Sequence, residues 1–286
     1  MAHVAFLGTG LIGSKMIERQ RALGANVIAW NRTRSKAEAL VHLGVRVADT
    51  PADAVRGAER VHIVLTDDAA VDEVLAAADG ALAKADLVID HSTTSPKLTA
   101  ERAARLAARD LRFLHAPIFM SPQAAQNGAG VMMVAGPAPI ADFAQGALAK
   151  MTGDVWYVGE RLDLAASYKL FGNAMIFALC AGLSDVFALG KSLGVKPTDV
   201  HRLFSRFNVA AVLEYRGRAM AEANFAPAFE LTMARKDLRL MVESAASHAN
   251  LLTILPTLVN RFDELIEQGH GQKDLGVIAI DAVGDG

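Results

Sequence analysis

Short apolar runs alternate with longer, alanine-rich segments over the first 160 residues of the chain. Most of the runs are apolar throughout, which is typical of strands that are covered on both faces of a sheet. They predict eight strands, at residues 3–8, 26–30, 45–48, 60–65, 86–90, 112–116, 131–135 and 155–158. The segments between the runs have helical composition. This alternation predicts an α/β domain with a doubly wound, mostly parallel sheet.

The pattern changes after residue 160, where no further run resembles a strand. Residues 162–193 form a long apolar segment with helical spacing, which ends before Gly194 and Pro197. Shorter helices are predicted at 197–206, 209–223, 230–249 and 255–268. The chain therefore divides into an α/β domain, residues 1–160, and an all-α domain, residues 161–286, joined by the long helix.

Composition and charge exclude several classes of protein. The chain has 286 residues, 52% hydrophobic and 21% charged, with a net charge of −2, so a nucleic acid or an anionic membrane is not an expected partner. Met1 leads directly into the first strand, and the apolar stretch 170–183 contains Gly172, Asn173 and Gly182. We therefore expect a cytoplasmic protein without a membrane span. No metal-ligand spacing is visible, and the single cysteine, Cys180, is expected to be a small core residue.

A G-x-G-x-x-G motif follows the first predicted strand. Its residues are Gly8, Gly10, Leu11, Ile12 and Gly13. The first glycine permits a tight turn, the second lets the backbone approach a pyrophosphate, and the third lets the helix pack close to the strand. The N-terminus of the following helix would direct its N–H groups at the phosphates. The motif predicts a dinucleotide-binding domain of the Rossmann type, against the alternative of a turn that serves packing alone.

The residues after the second strand indicate which dinucleotide binds. They are Asn31, Arg32, Thr33 and Arg34. An acid at this position would bind the ribose hydroxyls and repel a 2′-phosphate, whereas arginine binds phosphate through charge-assisted hydrogen bonds. We therefore predict NADP(H) as the cofactor. The alternative is an ordinary solvated loop, because Ser35 and Glu38 have the spacing of a capping box at a helix start.

Lys169 and Asn173 are the polar pair of the long apolar segment. They are four residues apart and share one face of a helix. A lysine among apolar side chains loses solvation, which lowers the pKa of its ammonium and favours proton transfer near neutral pH. The residues alone equally allow a lysine whose stem packs while its ammonium reaches water.

Five segments together resemble the β-hydroxyacid dehydrogenases, the family of 3-hydroxyisobutyrate dehydrogenase and the glyoxylate/succinic semialdehyde reductases. They are residues 6–13, 31–33, 90–96, 169–173 and 236–240. The resemblance implies a hydride transfer between the nicotinamide of NADP(H) and a carbonyl or hydroxyl carbon. It also implies that Lys169 is the general acid/base, that Asn173 holds the substrate and the lysine, and that the helical domains pair in a homodimer or homotetramer.

The resemblance implies further contacts. Cofactor contacts are expected at Leu65, Thr66, Thr93 and Lys236 and a substrate contact at Ser92. The family counterpart of Lys236 reaches across the cleft to the cofactor, although Lys236 and Asp237 without the resemblance are simply a solvated pair. Ser92 and Thr93 follow the fifth strand, where loops at the carboxyl ends of parallel strands face the ligand crevice.

The chain departs from the family where the substrate carboxylate is usually held. Phe119, Met120 and Ser121 stand where family members have Ser-Gly-Gly, and Asp163 and Ala165 replace glycines before the lysine. These changes favour a larger, less acidic or more apolar carbonyl compound. Alternatively, the phenylalanine points into the core while the serine and backbone amides bind a carboxylate.

His115, at the end of the sixth strand, is a candidate acid/base because histidine titrates near neutral pH. A hydrogen-bonded structural role is favoured by its position. Two other functions compete with the dehydrogenase or reductase. One is an imine reductase-like enzyme, a related group that uses apolar pockets but generally lacks the lysine. The other is a scaffold that binds NADP without turnover.

Overall fold

One sheet of nine strands occupies the N-terminal part of the computed structural model, which describes residues 2–83 and 85–284. The strands are β1 (Val4–Leu7), β2 (Val27–Trp30), β3 (Arg46–Val47), β4 (Arg60–Ile63), β5 (Val88–Asp90), β6 (Phe113–His115), β7 (Ile118–Phe119), β8 (Val131–Ala135) and β9 (Asp154–Gly159). Eight of them were expected from the sequence. β7 was missed because two residues are too few to show a pattern.

The sheet has the order β3-β2-β1-β4-β5-β6-β8-β7, with β9 on the outer side of β8. The strands from β1 to β6 are parallel, whereas β8 runs antiparallel to β6 and β7 and parallel to β9. Successive residues of β1 enter two different cores, because Val4 and Phe6 pack in one cluster and Ala5 and Leu7 in the other. The prediction of a mostly parallel sheet covered on both faces is confirmed.

Helices cover the two faces of this sheet. They are α1 (Leu11–Ala22), α2 (Arg34–Glu38), α3 (Pro51–Val55), α4 (Asp68–Leu82), α5 (Pro96–Ala107), α6 (Pro122–Asn127) and α7 (Ala138–Leu148). The parallel strands β1, β2, β4 and β5 all end at the same edge of the sheet, because parallel strands share one direction. The loops that follow them therefore meet there.

The rest of the chain is helical. Its helices are α8 (Leu164–Ser192), α9 (Pro197–Arg202), α10 (Val209–Ala221), α11 (Leu231–Ser244), α12 (Leu255–Leu265) and α13 (Ile280–Val283). A separate core cluster of eight buried residues, which includes Leu231, Phe262 and Val277, holds this part together. The helix expected over 230–249 ends earlier, at Ser244, and a 3₁₀ segment with a kink at His248 follows it.

The long helix α8 corrects two expectations from the sequence. Gly172, Asn173 and Gly182 do not interrupt it, so it is long and apolar enough to cross a membrane by length and composition alone. Only 6% of its most apolar 18-residue window is buried within the chain. Cys180, expected in a core, is exposed for the same reason. By its contacts the chain divides into two compact units between Asn173 and Ala174, inside this helix.

Candidate active site

The glycine motif forms the turn between β1 and α1, and its three glycines have different surroundings. Gly8 has φ +110°, and a Cβ there would lie 2.1 Å from the carbonyl oxygen of Val64. A Cβ on Gly13 would lie 2.4 Å from the carbonyl oxygen of Gly8. Gly10, the N-cap of α1, has no atom within 4 Å of such a Cβ. The outer glycines thus close the turn, while Gly10 leaves open space beside the helix N-terminus.

Open space and free N–H groups are what a pyrophosphate requires. The first N–H groups of an α-helix have no partner within the helix, and they carry its positive dipole end. Leu11, the first residue of α1, is 81% exposed, and Ile12 is half-buried. The turn and the helix start therefore fit a dinucleotide phosphate.

Asn31 joins this turn to the loop after β2. Its Oδ1 accepts a hydrogen bond from the N–H of Thr9 at 3.0 Å, and its Nδ2 donates to the carbonyl oxygen of Thr33 at 2.9 Å. Both ends of the amide therefore hold main chain. A carboxylate at this position could not donate the second hydrogen bond. Asparagine in place of the usual acid therefore has a structural effect as well as an electrostatic one.

Six of the predicted cofactor residues line one cavity of about 160 Å³ at the carboxyl edge of the sheet. Those that line it are Gly10, Asn31, Arg32, Thr33, Leu65 and Thr66. Lys36, on α2, lines it as well and was not predicted. Glu73, on α4, is the acid of this lining.

Arg34 is turned to other partners. Its Nε donates to Glu38 at 2.7 Å, and its Nη1 pairs with Asp49. Glu38 therefore does not close a capping box with Ser35, and α2 has no side-chain cap at Thr33. Within residues 2–83 and 85–284 the structure records no ion pair for Arg32 or Lys36. The two cations that face the cavity are thus Arg32 and Lys36.

The loop after β5 separates two neighbouring hydroxyls. Ser92 is 3% exposed, and its Oγ accepts a hydrogen bond from the N–H of Leu65 at 3.0 Å. Its own N–H donates to Oδ1 of Asp90 at 2.9 Å. Ser92 therefore ties the two strand-end loops together, while Thr93 is exposed at the same edge.

A buried arginine connects α4 and α5 and supports the loop after β5. Arg102, on α5, is 1% exposed and bonds Asp68 and Asp72 of α4, each at 2.9 Å. The other oxygen of Asp68 accepts from the N–H of Ser95, in the loop after β5. Burial raises the pKa of the Asp90 carboxyl, which lies 4.0 Å from the same guanidinium. These hydrogen bonds and ion pairs fix the positions of α4, α5 and the end of β5 relative to one another.

His115 is fully buried at the end of β6. Its Nε2 donates to the carbonyl oxygen of Ser92 at 3.1 Å, and burial lowers the pKa of the imidazole to about 4. The prediction of a hydrogen-bonded histidine at a strand end is confirmed by this geometry.

Lys169 lies on the first turns of α8, beside β7. Its Nζ donates to the carbonyl oxygen of Ile118 at 2.7 Å and lies 3.9 Å from the centroid of the Phe119 ring. The side chain is half-buried, and burial lowers the pKa of the ammonium from its ordinary value. Asn173 follows one helical turn later and is also half-buried. The arrangement holds a proton-carrying nitrogen with two of its three donors left for other partners.

The three residues that depart from the family pattern are each engaged. Phe119 packs with Met133 and Val131 in a small core cluster beneath α8. Met120 packs against the main core, and Ser121 caps α6 by accepting from the N–H of Ala124 at 3.1 Å. The structure gives these three side chains packing and capping contacts in place of the hydroxyl and glycine donors.

Lys236 lies on α11, in the helical unit. Its Nζ pairs with Asp237 at 2.9 Å, and both side chains are exposed. This is the geometry of the solvated pair that the two residues suggest by themselves. In the part of the chain that the structure describes, no group of three His, Cys, Asp or Glu residues is arranged to hold a metal ion.

Comparisons with known proteins agree with this geometry. A model of the NAD-binding domain of 6-phosphogluconate dehydrogenase matches residues 3–159, and a model of the NAD-binding region of NADP-dependent 3-hydroxyisobutyrate dehydrogenase matches residues 165–279. The uncharacterized oxidoreductase YfjR of Bacillus subtilis is 30% identical over 95% of this chain and 96% of its own. Glyoxylate/succinic semialdehyde reductase 2 of Arabidopsis thaliana, a chloroplastic protein, is 26% identical over 85% of this chain and 69% of its own.

A solved structure shows the same fold. The reductive aminase from Aspergillus terreus, in complex with NADPH4, cyclohexanone and allyl amine, superposes with a TM-score of 0.89 at 22% identity. The match covers 98% of this chain and 99% of the aminase. With a dinucleotide turn at β1, family models over both parts of the chain and oxidoreductase relatives along its length, the chain belongs to the β-hydroxyacid dehydrogenase family of NAD(P)-dependent oxidoreductases and binds NADP(H).

Proposed function

We propose that the protein is an NADP(H)-dependent reductase or dehydrogenase that acts on neutral carbonyl or hydroxy compounds, with Lys169 as its acid/base. The observation that carries this proposal is the position of the lysine ammonium, which is half-buried and bonded once, to the carbonyl oxygen of Ile118 at 2.7 Å. The cofactor, when bound, supplies or accepts the hydride.

The lysine handles the proton on the substrate oxygen. Its charged form can donate as a carbonyl oxygen gains negative charge, and its neutral form can accept when the alcohol is oxidised. Burial lowers the pKa of Lys169, which brings both forms closer to neutral pH. Asn173, one helical turn further on, can hold the same oxygen through its amide.

A substrate without a carboxylate is supported by residues 119–121. The Phe119 ring lies under the lysine, and the hydroxyl of Ser121 is used to cap α6. Met120 packs on the main core. The side chains that would have to bind a carboxylate are thus an aromatic ring, a thioether and an occupied hydroxyl.

The cofactor preference follows from the cavity at the sheet edge. Arg32 and Lys36 line it, and charge-assisted bonds from two cations favour a 2′-phosphate over a ribose hydroxyl. Asn31 occupies the position at which an acid would repel that phosphate. We propose a preference for NADPH over NADH on these grounds.

Steady-state turnover with a panel of substrates tests the proposal. NADPH oxidation is measured with neutral aldehydes and ketones and with semialdehydes of similar size that carry a carboxylate. Lys169→Ala should lower kcat at least about 10²-fold, the usual share of a positioned acid/base, while the dissociation constant of NADPH is retained. An unchanged kcat, or a preference for the carboxylates, would contradict the assignment.

Imine reduction is the second candidate. It is supported by the apolar side chains of Phe119 and Met120 and by the similar fold of a reductive aminase. Turnover of cyclic imines, or of cyclohexanone with allyl amine, that survives Lys169→Ala would favour this reaction. Tight NADPH binding without turnover of any substrate would favour a scaffold that binds the cofactor alone.

We also propose a cytoplasmic homodimer in which a second copy covers α8. Between Lys169 and Asp185 this helix has no charged residue, and Phe171 and Phe177 are 66% and 69% exposed. Exposed apolar side chains that lie together in this way mark a surface that is covered by another protein or by lipid. Analytical ultracentrifugation should show a dimer in detergent-free buffer. Recovery in the membrane fraction, or a stable monomer, would contradict it.

A further inference from the structure

We infer that Phe119 is a positioning residue for Lys169. The lysine ammonium lies over the Phe119 ring, and the tip of the ring packs against Gly172. The inference rests on the proposed role of the lysine as the acid/base. Phe119 stands where family members have a serine, and the inference gives this phenylalanine a function of its own.

Two consecutive residues of β7 make the seat of the ammonium. Ile118 provides a carbonyl oxygen at 2.7 Å from Nζ, and Phe119 provides the ring, with its centroid at 3.9 Å. A cation over an aromatic face is attracted by the negative charge of the π-system, and this distance is well within the range of that interaction. The strand is held in turn by pairing with β8, where Phe119 lies opposite Val131.

The ring is fixed from its other end by a glycine of the same helix that carries the lysine. A Cβ on Gly172 would lie 2.3 Å from Cζ of Phe119 and 2.9–3.0 Å from its two Cε atoms. No real Cβ tolerates these distances, so the ring tip lies where any other side chain would be. Lys169 and Gly172 are three residues apart and therefore share one face of α8. The ring is thus clamped between them.

Within residues 2–83 and 85–284 the structure records no ion pair for Lys169, and burial is what lowers the pKa of its ammonium. Beneath Phe119 lie the uncharged side chains Val131 and Met133 of β8. Of the charged residues that precede α8, Asp163 pairs with Arg161. The ring and the carbonyl are therefore the groups that stabilise the ammonium against its partial burial.

This clamp decides where the proton is held. Without the ring, a lysine side chain with four rotatable bonds could direct its ammonium to solvent. With it, Nζ is kept beside β7, one helical turn from Asn173. A misplacement of a catalytic group by about 1 Å can cost about 10²-fold in rate, so positioning of this kind has a measurable effect.

Fluorination of the ring separates its charge distribution from its size. Phe119 is replaced by 2-fluoro- and 2,6-difluorophenylalanine, whose fluorine atoms are on the Cδ positions and leave the ring tip at Gly172 unchanged. The titration of Lys169 is followed by ¹³C NMR of its Cε, with the signal assigned by Lys169→Ala. The pKa of the ammonium should fall stepwise, by up to about 0.4–0.7 unit, as the attraction is weakened. The alkaline limb of kcat/KM for reduction should move by the same amount.

The matched control is Phe143, whose ring lies 5.0 Å from the guanidinium of Arg112. The same fluorinated residues at this position should leave the Lys169 titration unchanged. An equal shift from both positions, or no shift from Phe119, would overturn the inference. The NMR readout does not require turnover. A normal kcat in Lys169→Ala would therefore refute the proposed acid/base role, while the fluorine series would still test the contact by itself.

The glycine is tested by a double-mutant cycle. Gly172→Ala should lower kcat at least about tenfold, because its Cβ displaces the ring and with it the ammonium. In the background of Phe119→Leu, which removes the ring tip, the same change should cost little. If the effects of the two substitutions on kcat are additive, the ring and the glycine act independently and the inference is wrong. The melting temperature of each variant shows whether a lower kcat results from loss of the fold.

Discussion

Nδ1 of His62 donates a 2.8 Å hydrogen bond to Nε2 of His91 in the interior of the N-terminal sheet. The direction follows from the next bond, in which Nδ1 of His91 lies 2.7 Å from the carbonyl oxygen of Ala116. A carbonyl can only accept, so His91 carries its hydrogen on Nδ1 and accepts at Nε2. Both imidazoles are neutral and fully enclosed behind the loops of the candidate site.

These histidines predict a loss of stability in mild acid. Burial lowers the pKa of His91 to about 4 and that of His62 well below its ordinary value. Between pH 6.5 and 4 the unfolded chain therefore binds protons that the folded protein does not, and the free energy of unfolding falls as the pH is lowered. Asp90, whose pKa is raised by burial, acts in the opposite direction. Urea unfolding at several pH values measures the slope.

His91→Gln is the variant that isolates the effect. A glutamine amide can donate to Ala116 and accept from His62, yet it does not titrate. It should flatten the slope between pH 6.5 and 4 by up to about 1.4 kcal/mol per pH unit. His201→Gln, at an exposed position on α9, is the control and should leave the slope unchanged. Equal slopes in all three proteins would contradict the prediction.

The nucleotide-binding half of the fold was predictable because its signals are local. A strand, three glycines at fixed spacing and the loop after β2 lie within about 30 residues, and each position has a backbone reason of its own. Lys36 was missed for a different reason. A solvated lysine on a short helix has no pattern that distinguishes it, and its position at the cavity depends on how α2 leaves β2.

Contacts between distant segments set the limit of sequence analysis. The partners of Arg34 include Asp49, fifteen residues away, and the ring of Phe119 meets Lys169 fifty residues later. Cys180 was assigned to a core because its helix is apolar, yet that helix is largely uncovered within one chain. Apolar sequence predicts that a surface will be covered, and it does not say by what.

Gly10 and Gly13 should respond differently to the same substitution. Gly10→Ala adds a methyl group in open space at φ −68°, which alanine adopts freely, so the melting temperature should be unchanged. The methyl group would occupy the approach of the pyrophosphate, and the dissociation constant of NADPH should rise at least about tenfold. Gly13→Ala should lower the melting temperature as well, because its Cβ would lie 2.4 Å from the Gly8 oxygen. Thermal unfolding and cofactor titration of both variants decide the matter, and unaltered NADPH binding by Gly10→Ala would count against the phosphate site.

Asp185 should be a principal stabilising residue of the helical unit. It is 1% exposed on α8, and its carboxylate accepts from the N–H groups of Thr253, Ile254 and Leu255 at the start of α12. Asp185→Ala leaves these donors without their acceptor and should lower the free energy of unfolding by about 2 kcal/mol or more. Asp185→Asn keeps one acceptor oxygen and should cost less. Urea denaturation compares them with Asp199→Ala on the exposed surface of α9, and a similar cost for all three would contradict the assignment.

The preference for NADPH should depend on Arg32 and Lys36 and not on Arg34. Arg32 and Lys36 line the cavity at the sheet edge, whereas Arg34 is already paired with Glu38 and Asp49. Loss of one charge-assisted bond to a phosphate costs about 1.5–3 kcal/mol, so Arg32→Ala should raise KM for NADPH by about 10–100-fold with little change for NADH. Lys36→Ala should act in the same direction, and Arg34→Ala is the matched control, with KM values for both cofactors near those of the wild type. A larger loss in Arg34→Ala than in Lys36→Ala would place the 2′-phosphate on the other side of α2, and equal losses for NADPH and NADH in Arg32→Ala would exclude a contact with that phosphate.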